Sequence, residues 1–319
     1  MPYIEIKNLN YVYSPKTPYE KRALKDVNLE IEEGSFVGLV GATGSGKSTL
    51  IQHLNGLIKL QDKKHSSVVV NGMSLSDKKT LKKVRFEVGM VFQYPEYQLF
   101  GETVAKDVAF GPKNMKLEAD EIDRRVRRAL EVVGLDYDKF AERSPFDLSG
   151  GEKRRAAIAG VIAMEPKVLV LDEPVAGLDP VGREEILALV KKLQREVSPT
   201  VIIVSHNMDD MAMLADRIIV LKDGEVVADS APKKVFGNRR LIADAGLDLP
   251  TATRIADTLK ERGIALPTDI VTMDGLAQEL GKLRAKKAAE AVSADNDFDC
   301  EEEYDAFSGE RFDGRERDV

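Results

Sequence analysis

The apolar run Phe36 to Val40 leads directly into Gly41-Ala42-Thr43-Gly44-Ser45-Gly46-Lys47-Ser48-Thr49, and a helical pattern to Leu57 follows. Strand, glycine-rich loop and helix in that order, with lysine and then a hydroxyl at the loop's end, form the P-loop pattern, which binds phosphate. The glycines let backbone N–H groups turn inward around a phosphate chain, and the helix N-terminus adds positive potential. Lys47 is suited to neutralising β and γ oxygens, and Ser48 offers a hydroxyl to Mg²⁺. A phosphate chain with Mg²⁺ is the ligand this loop predicts.

The rest of the chain supplies the layers such a loop needs. Apolar runs rich in β-branched residues recur at Val68–Val70, Val88–Phe92, Val168–Leu171, Val201–Val204 and Ile218–Leu221. Helical patterns lie between them at Ser48–Leu57, Asp120–Val133, Glu152–Met164, Arg183–Val197 and Met208–Ala215. This alternation predicts an α/β fold, a P-loop NTPase with a largely parallel sheet. From about Pro95 to Glu165 the pattern is helical throughout, which suggests a helical subdomain inserted between two strands. Residues 241–289 are again mostly helical, broken at Leu249-Pro250 and Leu266-Pro267, and read as a small C-terminal extension. Residues 1–240 are expected to form the ATPase domain, with the helical subdomain at about 95–165.

A second element closes the phosphate site. Val168–Leu171 ends in Asp172-Glu173-Pro174, so two carboxylates emerge where the strands of an α/β sheet deliver their ligands. Asp172 is placed to hold the Mg²⁺ shell, and Glu173 to orient and polarise an attacking water. Just ahead of that strand stands Leu148-Ser149-Gly150-Gly151-Glu152, whose serine and glycines open another helix with free N–H groups.

Leu148 to Glu152 resembles the signature motif of the ABC ATPases. The resemblance extends over about Tyr3 to Asp229 and implies that ATP is sandwiched between the P-loop of one subunit and Ser149, Gly150 and Gly151 of another. It also implies that Gln93 is the glutamine that contacts Mg²⁺ or water and senses the membrane partner. By the same resemblance Asp179, in Ala176-Gly177-Leu178-Asp179, reaches across the dimer, and His206 touches the γ-phosphate. An aromatic residue stacks on adenine; Tyr13 occupies its place, with Tyr11 as the alternative because the two share a strand face.

A narrower likeness follows. Val91 to Phe100, Asp107 to Pro112 and Arg154 to Val161 look like the energy-coupling factor ATPases of vitamin and metal uptake, and Thr17 to Leu24 resembles the second of their two paralogous ATPases. That implies a paralogous ATPase as partner, in a heterodimer with a homodimer as the alternative. It further implies a transmembrane scaffold, a substrate-binding membrane component and a place on the cytoplasmic face of the cell membrane. Another ABC importer, or an ATP-binding interaction subunit with little turnover, is the competing reading. Two positions depart from the family pattern: Val175 replaces the usual threonine and Glu152 the commoner glutamine.

Composition excludes other classes. No apolar run approaches the roughly 18–20 residues that span a bilayer. The N-terminus lacks a signal peptide's basic start and apolar segment, and the single Cys300 precludes an internal disulfide. The net charge of −7 arises in the tail: residues 290–319 hold 12 Asp and Glu against 3 Arg, which leaves the body at 44 basic against 42 acidic groups. That tail is expected to be disordered, and the near-neutral body gives no reason to expect nucleic acid. The stretch from Gln93 to Leu148 is too short for the coiled coil of a DNA-maintenance ATPase, and a translation-type factor would carry two P-loops.

Overall fold

Residues that alternate apolar and polar make Ile4–Tyr13 (β1) and Lys21–Ile31 (β2) an antiparallel pair, with Ile4 opposite Ile31 and Ile6 opposite Leu29. The computed structural model describes residues 2–296, so most of the predicted acidic tail, with Cys300, lies outside the described residues. After Phe36–Val40 (β3) and Lys47–Leu54 (α1), the chain returns through Ser67–Val70 (β4) and Met73–Ser74 (β5). A four-stranded sheet results, in the order β2-β1-β4-β5. Val68–Val70, expected in the parallel sheet, belongs here and runs antiparallel to β1. Its pattern agrees: Val68 and Val70 are buried while Val69 between them is only half-buried, as in a strand with one covered face.

Lys78–Glu87 (α2) leads into Val88–Val91 (β6). Up to residue 167 the described chain is then helical, with 3₁₀ turns at Pro95–Gln98 and Pro145–Asp147. The helices are Val104–Val108 (α3), Phe110–Asn114 (α4), Ala119–Val132 (α5), Tyr137–Phe140 (α6) and Gly150–Ile162 (α7). Val168–Asp172 (β7), Pro180–Glu196 (α8), Thr200–Val204 (β8), Met208–Leu214 (α9), Arg217–Lys222 (β9) and Glu225–Ser230 (β10) follow. The main sheet has the order β10-β9-β3-β8-β7-β6, parallel except at the β10 edge.

Both faces of this sheet are covered, which is why its central strands read as unbroken apolar runs. On β3, Phe36 and Val40 face the core built with α5, α7 and α8, while Val37 and Leu39 face the smaller sheet. On β8, Val201 and Ile203 face the first core and Ile202 and Val204 the second. Pro232–Gly237 (α10) and Arg239–Asp244 (α11) precede Thr251–Glu261 (α12) and Met273–Asn296 (α13). The last two helices enclose a separate small core of Ala252, Ala256, Leu266, Ile270 and Leu276. Thr251 fastens it to α9, its backbone N–H and hydroxyl each donating to Asp209 at 2.7 Å.

Candidate active site

Register brings the predicted groups to one edge of the main sheet. Leu39 and Asp172 both stand opposite Val204, so Gly41, Glu173 and His206 follow from neighbouring strand ends. The Glu173 N–H donates to the Val204 carbonyl at 3.0 Å, which locks β7 and β8 past the end of their ladder. Glu173 itself has φ 51°, a left-handed conformation that costs a residue with a side chain about 1–2 kcal/mol. That backbone turns its carboxylate toward His206, whose Nε2 lies 3.1 Å from Oε1. The ring N–H is not aligned for a hydrogen bond, so Glu173 Oε1 is buried without a donor among the described residues.

The phosphate loop wraps tightly. A Cβ on Gly41 would come 2.2 Å from the Leu221 carbonyl oxygen, and one on Gly46 2.4 Å from that of Ala23. Lys47 is buried, and its Nζ donates to the carbonyls of Gly41 (2.7 Å) and Ala42 (3.0 Å). Ala42, Thr43, Gly44 and Ser45 form the crest, closed by a Ser45 N–H to Ala42 carbonyl bond of 3.1 Å. Ser45 Oγ is buried without a partner among the described residues. Beside the loop is a cleft of about 210 Å³ between Tyr13, Lys21, Gly44 and Thr49.

Electrostatics hold this edge near neutrality. Burial, reinforced by the adjacent Asp172, pushes the Glu173 carboxyl up to about 7. Burial also raises Asp172, while Lys47 and the Ser48 hydroxyl pull it back down. Burial lowers Lys47, and burial with Lys47 nearby lowers His206. A carboxyl held close to neutrality beside an imidazole is equipped to exchange a proton with a bound water.

The donor set fits a hard divalent cation shared with phosphate. Ser48 and Asp172 offer oxygens side by side, and Gln93 stands past the end of β6, whose Val91 pairs with Leu171. Among the described residues no group of three or more His, Cys, Asp or Glu could hold a metal alone. Mg²⁺ suits such a site, since it keeps few protein ligands and completes its shell with phosphate and water.

The remaining predicted residues fall into two groups. The Tyr13 hydroxyl lies 3.1 Å from Thr49 Oγ1 with its ring at the cleft, whereas Tyr11 packs edge-on against buried His53 at 5.0 Å. Ser149 caps α7 in a reciprocal capping box with Glu152, and Asp179 caps α8 by accepting from the Gly182 N–H at 2.7 Å. Ser149, Gly150, Gly151 and Asp179 are not gathered with Lys47; α7 packs on α3, α5 and the Pro95–Gln98 turn. Lys21 lies outside the predicted set yet lines the cleft, its Nζ 3.5 Å from where a Gly44 Cβ would stand. Its pairing with Tyr13 across β1 and β2 brings it there.

The sequence profile of the ABC transporter family matches residues 24–176. An energy-coupling factor transporter ATP-binding protein EcfA2 from Clostridium tetani is 50% identical over 287 residues, which is 89% of this chain and 98% of that protein. The EcfA2 of Symbiobacterium thermophilum is 53% identical over 289 residues, 90% of this chain and 99% of that protein. Among solved structures, cbiO1 from Clostridium perfringens, described as part of the ABC transporter complex cbiONQ, aligns with a TM-score of 0.67 at 39% identity, over 81% of this chain and 99% of that one. The ATP-binding cassette MJ0796, solved as a dimer bound to ADP and Pi, aligns with a TM-score of 0.62 at 33% identity, over 72% of this chain and 98% of that one. With half its residues shared over nearly the whole length of these relatives, the chain belongs to the ABC transporter family, among the energy-coupling factor ATP-binding proteins.

Proposed function

We propose that this chain is the ATP-binding and ATP-hydrolysing subunit of an energy-coupling factor importer, coupling hydrolysis to uptake of a vitamin or a transition-metal ion. The observation that carries the reading is the meeting of Lys47, Asp172, Glu173 and His206 at one sheet edge, with Glu173 held near neutrality.

Tyr13 stacks on adenine, its ring steadied by the hydroxyl contact to Thr49. Backbone N–H groups from Gly41 to Thr49 enclose the phosphates, and Lys47 exchanges its two loop carbonyls for β and γ oxygens. Ser48, Asp172 and Gln93 would hold Mg²⁺, which when bound offsets charge on the phosphates. Glu173 orients the attacking water and takes its proton, and His206 fixes the γ-phosphate from the next strand end.

Residues 1–240 act as the ATPase domain and 241–289 as an extension. Ser149, Gly150, Gly151 and Asp179 serve the nucleotide of a second subunit, a paralogous ATPase or a second copy of this chain. A groove lined by Phe86, Gln98, Leu99, Phe100, Phe110 and Met164 takes in the end of the turn that follows Gln93, with Phe100 and Phe110 exposed in it. It suits helices of a transmembrane scaffold, to which a substrate-binding membrane component attaches. No helix among the described residues is long and apolar enough to cross a membrane, so the chain sits peripherally on the cytoplasmic face through that contact.

The test is Glu173→Gln in the purified assembly. Nucleotide affinity should stay within a few-fold while turnover falls by about a hundredfold or more. Retained turnover would overturn the role of Glu173.

A further inference from the structure

Arg154 has no part in nucleotide binding as described above, yet it is among the most buried charges in the molecule, 2% exposed. It lies on α7, five residues past Ser149, and its guanidinium joins three segments. Nε and Nη2 donate to the two oxygens of Glu96 at 3.1 and 2.8 Å, a bidentate pair. Nη1 donates to the carbonyls of Pro174 at 3.1 Å and Ala176 at 3.0 Å.

Each anchor adjoins a group of the reaction. Glu96 sits in the 3₁₀ turn three residues after Gln93, and Tyr94 enters that turn in a left-handed conformation with φ 55°. Pro174 directly follows Glu173, whose own left-handed backbone needs the surrounding structure to hold it. Ala176 opens the turn that ends at Asp179. A planar fork with fixed donor directions can satisfy all four acceptors only when the three segments are in register.

We propose that Arg154 is a positioning residue: it ties the turn after Gln93, whose Gln98 lines the groove described above, to the backbone that aims Glu173. Movement of the Pro95–Gln98 turn then reaches Glu173 through one guanidinium. This rests on the reading of Glu173 as the group that directs water.

The experiment uses the full chain in its transporter assembly and compares Arg154→Lys, Glu96→Gln and the double variant with wild type. Sites are counted by titration with a non-hydrolysable ATP analogue, so that a loss of folded protein does not register as a loss of rate. Lysine keeps the buried charge but reaches fewer acceptors, and glutamine keeps the volume of Glu96. Turnover per titrated site should fall about tenfold or more in each single variant, with the ATP KM within about twofold, as expected for a misplaced catalytic group. The double variant should lose little more than the worse single variant, because both break one linkage. Turnover within about twofold of wild type in either titratable single variant, losses that multiply in the double, or losses confined to KM would overturn the proposal. Glu173→Gln runs alongside: if it keeps turnover the Glu173 reading fails, and if it alone loses turnover only the role of Arg154 fails.

Discussion

Glu173 Oε1 and His206 Nε2 stand 3.1 Å apart at the ends of adjacent parallel strands, and burial shifts both toward their neutral forms. The contact is one of position rather than of charge, since an ion pair would move the two groups the opposite way. Asp172 adds to the burial of Glu173 by placing a like charge beside it.

A pH dependence of stability follows. Unfolded, Glu173 loses its proton near the ordinary value of 4.5; folded, it keeps it to about 7. Between those values the folded chain binds more protons than the unfolded one, so this group lowers stability as pH rises. Glu173→Gln removes the effect. Without nucleotide, the glutamine variant should gain on wild type between pH 5 and 7.5, by up to roughly 3 kcal/mol in denaturant melts. A difference that stays flat with pH would mean that Glu173 ionises normally.

Gly46 has φ 106°, and a Cβ there would stand 2.4 Å from the Ala23 carbonyl oxygen. Gly46→Ala must therefore strain the backbone and push the loop off β2. The expected cost is about 1–3 kcal/mol of stability. ATP binding should be lost with it, because the displaced N–H groups no longer converge. Equilibrium dialysis with ATP and a thermal melt of the same sample check both.

The phosphate loop and the Asp172-Glu173 strand end were legible because their chemistry is local: each is one contiguous string whose residue types admit few other uses. The smaller sheet was legible only in part: Tyr11 and Tyr13 stand on one strand as read, whereas β2 gave no such signal. Most of β1 and all of β2 mix Lys, Asn and Asp with their apolar residues, and the register between them slips between Ile6 and Leu9 and again around Tyr11. The apolar alternation that holds at residues 4–6 and 27–31 is interrupted at those slips. Val68–Val70 was recognisable as a strand, but three residues carry no information about which sheet takes them. Lys21 and Arg154 fall in stretches marked by family likeness, but their contacts escaped for a different reason: their partners lie across a sheet register or in loops far away in sequence.

Tyr13 and Tyr11 can be told apart by what each substitution damages. Tyr13 is exposed at the cleft, so Tyr13→Ala should weaken ATP by about 1–2 kcal/mol, roughly tenfold, and leave stability nearly unchanged. Tyr11 packs on His53 and the core beneath β1, so Tyr11→Ala should cost stability first. Calorimetric titration and a denaturant melt on both variants decide it; the reverse pattern would move base stacking to Tyr11.

Gly150 poses a different question from Gly46. A Cβ on Gly150 meets nothing within 4 Å, and the residue does not have the positive φ that favours glycine. Nothing among the described residues therefore requires glycine there, and alanine in the first turn of α7 would be tolerated or slightly stabilising, by about 0.5–1 kcal/mol. A requirement could arise only from outside, where the helix N-terminus must let a phosphate of another subunit's nucleotide approach its N–H groups. Gly150→Ala should accordingly fold and bind ATP as an isolated chain, yet lose ATP-driven pairing and most of its turnover. Sedimentation with and without ATP, using Glu173→Gln as the background to hold the nucleotide intact, measures that pairing. If the alanine variant pairs as tightly as its parent, the surface around Ser149 does not cap a second nucleotide.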